Sequence, residues 1–81
     1  MSESYARLEK QFKDALAAAG IETFENYTTS SETADEVFAV LEGLYGEPQG
    51  WVHSQLICFW VLEGHVLFVD QTDCFRVYLH P

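Results

Sequence analysis

From Gln55 to Leu79 most positions are apolar, and the turn signals fall at Glu63-Gly64 and Gln71-Thr72-Asp73. An antiparallel strand usually alternates, one face for the core and one for water. Here the alternation fails, so a sheet built from this stretch carries two oily faces and something has to cover each. The breaks predict three strands, about 55–62, 65–70 and 74–79, joined as a meander. A two-residue turn at Glu63-Gly64 fixes the register of the first pair. Leu62 then faces His65, Trp60 faces Leu67 and Cys58 faces Val69, while Val61–Val66, Phe59–Phe68 and Ile57–Asp70 share the opposite face. Grouped by apolarity, Phe75, Val77 and Leu79 join Ile57, Phe59, Val61, Val66 and Phe68 as the expected floor for the helices. Cys58, Trp60, Leu67, Val69 and Tyr78 make the second, mixed face, which reads as a dimer or partner interface.

The N-terminal half supplies two helices. Tyr5, Leu8, Phe12, Ala15, Leu16 and Ala19 recur at helical spacing and predict a helix over 4–19, closed by Gly20. Glu3–Arg7 and Glu9–Lys13 are spaced for pairing along it. Residues 21–28 read as a connector. A second helix begins near Thr29 to Ser31, with Thr29-x-x-Glu32 as a capping box and Ala34, Val37, Phe38, Leu41, Leu44 and Tyr45 as its apolar stripe. Gly46 and Pro48 end it. The expected fold is α+β, a single domain over residues 1–81 with two N-terminal helices packed on a three-stranded antiparallel meander (ααβββ).

At 81 residues the chain is near the size at which one core just suffices. Its net charge is −9, with Arg7, Lys10, Lys13 and Arg76 against thirteen acids. Phosphate neutralisation needs clustered Lys and Arg, so direct nucleic-acid binding is disfavoured, as is attraction to anionic membranes. The partner that such a charge steers is a protein with a basic surface. Two cysteines are too few for a disulfide framework, and no signal peptide or apolar run of membrane-spanning length is visible. The expected setting is the cytoplasm.

No catalytic signature emerges. Cys58 and Cys74 are the nucleophile candidates, with His53, His65 and His80 as bases, but apolar surroundings in an acidic protein disfavour a thiolate. Asp70 and Asp73 bracket a turn, where Asp is ordinary. No Cys or His spacing matches a metal site and no glycine-rich phosphate loop is present, so neither a metal nor a cofactor is expected. A minimal thiol enzyme is the least favoured of the readings.

Acids dominate the exposed side of the second helix. Among Glu32, Asp35, Glu36 and Glu42, the pairs three or four apart (Glu32 with Asp35 and with Glu36) lie about 5–6 Å from one another at Cβ, near the repeat of a phosphate backbone. With Trp60, Arg76 and Tyr78 as anchors, the four acids form the expected partner-binding set. Cys58, Trp60, Leu67 and Val69 are the expected homodimer face. In size, acidity and want of catalytic residues the chain resembles phage or mobile-element inhibitors of the anti-CRISPR and anti-restriction type, and bacterial immunity proteins and antitoxins. The resemblance lies in size and charge and carries no residue correspondence. It implies a non-enzymatic inhibitor that mimics nucleic acid and blocks a basic, nucleic-acid-handling protein. A structural homodimer joined through the sheet, or an immunity- or antitoxin-type binding protein, is the alternative.

Overall fold

A computed structural model describes residues 3–24, 27–28, 34–72 and 76–81. Helix α1 spans Glu3–Ala18 and buries Leu8, Phe12 and Leu16, the stripe that the helical spacing marks. Its end is a Schellman motif: the Gly20 N–H reaches the Ala17 carbonyl and the Ile21 N–H the Leu16 carbonyl, both at 3.0 Å. Gly20 takes φ 80° to make it, and Leu16 and Ile21 are both buried in the core cluster. Lys13 pairs with Glu9 as the spacing predicts, but Arg7 reaches across to Glu63 in the sheet.

The connector folds into a small hairpin, β1 (Thr23–Phe24) and β2 (Tyr27–Thr28), and β2 runs close to the last strand of the main sheet. Helix α2 (Ala34–Tyr45) follows. The capping box expected at Thr29–Glu32 lies outside the described residues. At its other end the Gly46 N–H returns to the Glu42 carbonyl at 2.8 Å, and Tyr45 donates its hydroxyl to Gln11 of α1 at 3.0 Å.

The main sheet has four strands where three were expected: β3 (Gly50–Val52), β4 (Ile57–Leu62), β5 (His65–Asp70) and β6 (Arg76–His80), antiparallel in chain order. Gln55 and Leu56, the expected start of a 55–62 strand, instead belong to a turn over 53–56. His53, Ser54 and Gln55 all adopt left-handed backbone, φ 54°, 56° and 69°, and Gly50–Val52 returns along β4 as an edge strand. Gln49 prolongs this pairing, donating its N–H to the Phe59 carbonyl at 2.8 Å and accepting the Val61 N–H with its side-chain oxygen.

The β4–β5 register is the expected one at every pair from Ile57↔Asp70 to Leu62↔His65, and the turn has positive φ at both Glu63 and Gly64. What the structure reverses is the choice of core face. Cys58, Leu67 and Val69 are fully buried and Trp60 is 2% exposed, beneath both helices in one cluster with Leu8, Phe12, Leu16, Val37 and Leu41. Val77 and Leu79 pair with Val69 and Leu67, so they lie on this inner side rather than beside Phe59 and Phe68. The expected dimer face of Cys58, Trp60, Leu67 and Val69 is therefore the core. Cross-strand pairing, not apolarity, sets the facing of Val77 and Leu79, and it leaves the charged Asp70 and Arg76 on the other side. Hydrogen bonds also join the layers: the Trp60 indole N–H donates to the Gly46 carbonyl and the Tyr5 hydroxyl to the Leu79 carbonyl, each at 2.9 Å.

The outer face carries three rows across the strands: Val52, Ile57, Asp70 and Arg76; Gly50, Phe59, Phe68 and Tyr78; Val61, Val66 and His80. Both helices pack on the other side.

Candidate functional site

Where α2 meets the edge strand β3, the surface opens into a groove of about 570 Å³ lined by Asp35, Phe38, Ala39, Glu42, Glu47, Pro48 and Trp51. Its walls follow from two periodicities. Asp35, Phe38, Ala39 and Glu42 are three, four and seven residues apart, so they share one stripe of α2. Trp51 stands opposite Cys58 across the β3–β4 ladder, on the helix side of the sheet, but β3 is the edge and leaves the indole 46% exposed. The Gly46–Gln49 link between the two elements brings Glu47 and Pro48 to the rim.

The floor is aromatic. The Phe38 and Trp51 rings lie 5.7 Å apart at 47°, a tilted pair that holds the indole against α2. Asp35, Glu42 and Glu47 line the same groove, all exposed, and no lining residue is basic. Carboxylates in one groove with a half-exposed indole suit a cation. An ammonium or guanidinium can sit over the ring face while its N–H groups donate to the acids.

Of the residues expected to bind a partner, Asp35 and Glu42 meet in this groove. Glu36 is exposed on α2 but points elsewhere, and Glu32 lies outside the described residues. Trp60 is core and cannot be a surface anchor. Arg76 and Tyr78 occupy the outer face of β6, across the sheet from the acids, where Tyr78 stacks on Phe68 at 5.1 Å. Phe38 and Trp51 are the residues that sequence reasoning missed: Phe38 fits the buried stripe of α2, and a lone Trp after Pro48 and Gly50 gives no sign of its partner. Its edge position depends on the 53–56 turn.

The chemistry-bearing residues elsewhere are dispersed. His65 bonds Ser4 Oγ through Nε2 at 2.9 Å and the Pro81 carbonyl through Nδ1 at 3.2 Å, with the Tyr5 ring edge-on to it. His80 meets Phe68 on the outer face, and His53 sits in the left-handed turn. Among the described residues no cluster of His, Cys, Asp or Glu is arranged to hold a metal ion. Burial pushes the Cys58 thiol up to about 11, with Glu42 adding to the rise and backbone hydrogen bonds opposing it. The thiol is thus neutral near pH 7 and has no access to solvent. Cys74 and Asp73 lie outside the described residues. Burial also raises Asp70, but hydrogen bonds from the Thr72 N–H and hydroxyl, at 2.8 and 2.7 Å, together with the charges of Arg76 and His53, leave it below the usual carboxylate range. That is a turn-capping carboxylate rather than a general acid.

No protein-family model, curated protein or solved structure matches this chain. No helix of the described residues is long and apolar enough to cross a membrane.

Proposed function

We propose that this protein is a non-enzymatic binding module that captures a basic side chain on the surface of a protein partner. The reading rests on one observation: Asp35, Glu42 and Glu47 line the same groove as the exposed Trp51 indole, and no lining residue is basic. Arg suits such a groove better than Lys, because its planar guanidinium stacks on the indole while its edges donate to carboxylates. The net charge of −9 steers the same class of partner from a distance. Where that basic surface is a nucleic-acid-binding groove, occupancy excludes the nucleic acid. The module then acts as a steric inhibitor of the anti-CRISPR or anti-restriction type, with its carboxylates standing in for phosphates.

The test begins with a short arginine-containing peptide titrated into the protein while the Trp51 indole N–H is followed by NMR. A saturable shift of Trp51 that leaves the buried Trp60 indole still is expected. Neutralising the groove with Asp35→Asn, Glu42→Gln and Glu47→Gln together should weaken binding at least tenfold. For a partner recovered by affinity capture, the association rate should fall steeply with salt, since steering is screened over about 8–10 Å at physiological ionic strength. Unchanged partner affinity in the triply neutralised protein would show that these acids serve solubility alone.

A further inference from the structure

The outer face of the main sheet is left over from both the core and the groove. Val52 and Val61 are 47% and 49% exposed, and Ile57, Phe59, Phe68 and Tyr78 are half-buried among them. We propose that this face is where two copies of the chain meet, sheet against sheet.

Charge selects the occupant. In a chain of net charge −9, the described residues of the outer face include one acid, Asp70, and one base, Arg76, opposite it on the neighbouring strand, so the two cancel. Among the described residues this face therefore offers no net charge to a basic or an acidic partner. A neutral apolar surface matches another of the same kind, and the one certain to be present is its own copy.

Symmetry permits the match. Two sheets in face-to-face contact are related by a twofold axis lying in the interface, along or across the strands. Along the strands, β6 of one copy covers β3 of the other and Arg76 falls over Val52. Across them, Arg76 falls over His80 and Asp70 over Val66. Neither arrangement places Asp70 on Asp70 or Arg76 on Arg76.

The same packing solves the repulsion that a strongly acidic homodimer otherwise suffers. Sheets pack about 10 Å apart, and a helix layer is about 10 Å thick, so the α2 acids of the two copies end on opposite outsides, roughly 30 Å apart. That is nearly four Debye lengths of about 8 Å at physiological salt. Four strands spaced about 4.8 Å, each contributing two or three outward residues, give about 500 Å² of accessible surface per copy. The total, about 1,000 Å², is where specific interfaces begin, and a contact of that size belongs with weak, reversible association.

Sedimentation equilibrium of the full chain from about 5 to about 500 μM tests this, with the mass expected to rise from 9.2 kDa toward twice that value. Val52→Lys and Val61→Lys should each raise the dimer dissociation constant at least tenfold, since each carries a charge into the apolar contact. Both side chains are about half exposed in the single chain, so circular dichroism and thermal melting should be unchanged. Isotope-filtered NOEs between labelled and unlabelled wild-type copies, expected at Phe68 and Tyr78, check the contact without any substitution. Raising salt from about 0.05 to about 0.5 M should leave the dimer intact or tighten it, opposite to the response expected of the Trp51 groove. The two readings can therefore fail separately. A monomer at the highest concentration, a dimer indifferent to both lysines, or one that dissolves in salt overturns the proposal.

Discussion

The indole N–H of Trp60 donates to the carbonyl of Gly46 at 2.9 Å, joining the middle of β4 to the residue that closes α2. Gly46 is thereby held at both ends, because its own N–H returns to Glu42. The bond thus ties the end of α2 to the inner face of the sheet.

Trp60→Phe should keep most of the apolar volume and orphan that carbonyl. Gly46 is exposed and the bond only part-buried, so losing it costs about 0.5–1.5 kcal/mol, and a domain of this size loses about 4–8 °C per kcal/mol. A melting temperature lower by roughly 2–12 °C is expected, read by circular dichroism. Trp60→Glu should not fold, since it places an unpaired charge in the core. A folded, soluble Glu variant would return Trp60 to the surface.

Much of this fold is legible in the sequence, and the reasons for the rest are local. Helical spacing and Gly20 mark α1 because stripe and stop are separate signals that agree. Glu63-Gly64 sets the β4–β5 register because a two-residue turn leaves no freedom. The face was not legible without the β5–β6 register. Asp70 and Arg76 share the outer side, opposite each other on β5 and β6, but grouping β6 by apolarity puts Val77 and Leu79 there instead and hides that polar row. The fourth strand was hidden by His53, Ser54 and Gln55. Left-handed backbone normally announces itself with Gly or Asn, and none of the three is either. With β3 unseen, Trp51 had no edge to stand on. The groove acids Asp35 and Glu42 were visible as charge, but their aromatic floor was not.

Alkali should find the buried thiol. Cys58 is held up to about 11 chiefly by burial, above its ordinary value of 9.0. Between those values the unfolded chain binds fewer protons than the folded one, so stability falls as pH rises. The contribution is complete below pH 9 and lost by about pH 11, on the order of 2–3 kcal/mol. Cys58→Ala should flatten this part of the stability–pH curve measured by urea unfolding, although it also leaves a small cavity at every pH. In the folded protein at pH 8 the Cys58 thiol should resist a charged disulfide reagent until urea opens the core. Rapid labelling of Cys58 in the native state would contradict this placement. Iodoacetamide mapping by mass spectrometry keeps Cys74 separate.

On the outer face, Gly50 and Phe59 form a pair whose coupling can be measured. They are cross-strand neighbours on β3 and β4, and a Cβ on Gly50 would stand 2.9 Å from Cζ and 3.0 Å from Cε1 of the Phe59 ring. The ring therefore lies over the glycine, and Gly50→Ala forces it to swing. Displacing a side chain from its rotamer costs about 0.5–1.5 kcal/mol. The restricted unfolded chain returns about 0.4–1 kcal/mol, so Gly50→Ala alone should read as a small net change. In a Phe59→Ala background the clash is gone and only the gain remains. The same Gly50→Ala substitution should then stabilise, with a coupling between the two sites of about 1 kcal/mol in urea unfolding. Additive single effects would mean that the ring does not rest on Gly50. Because Phe59 sits in the middle row of the proposed dimer face, the swung ring in Gly50→Ala should also weaken self-association while the fold persists.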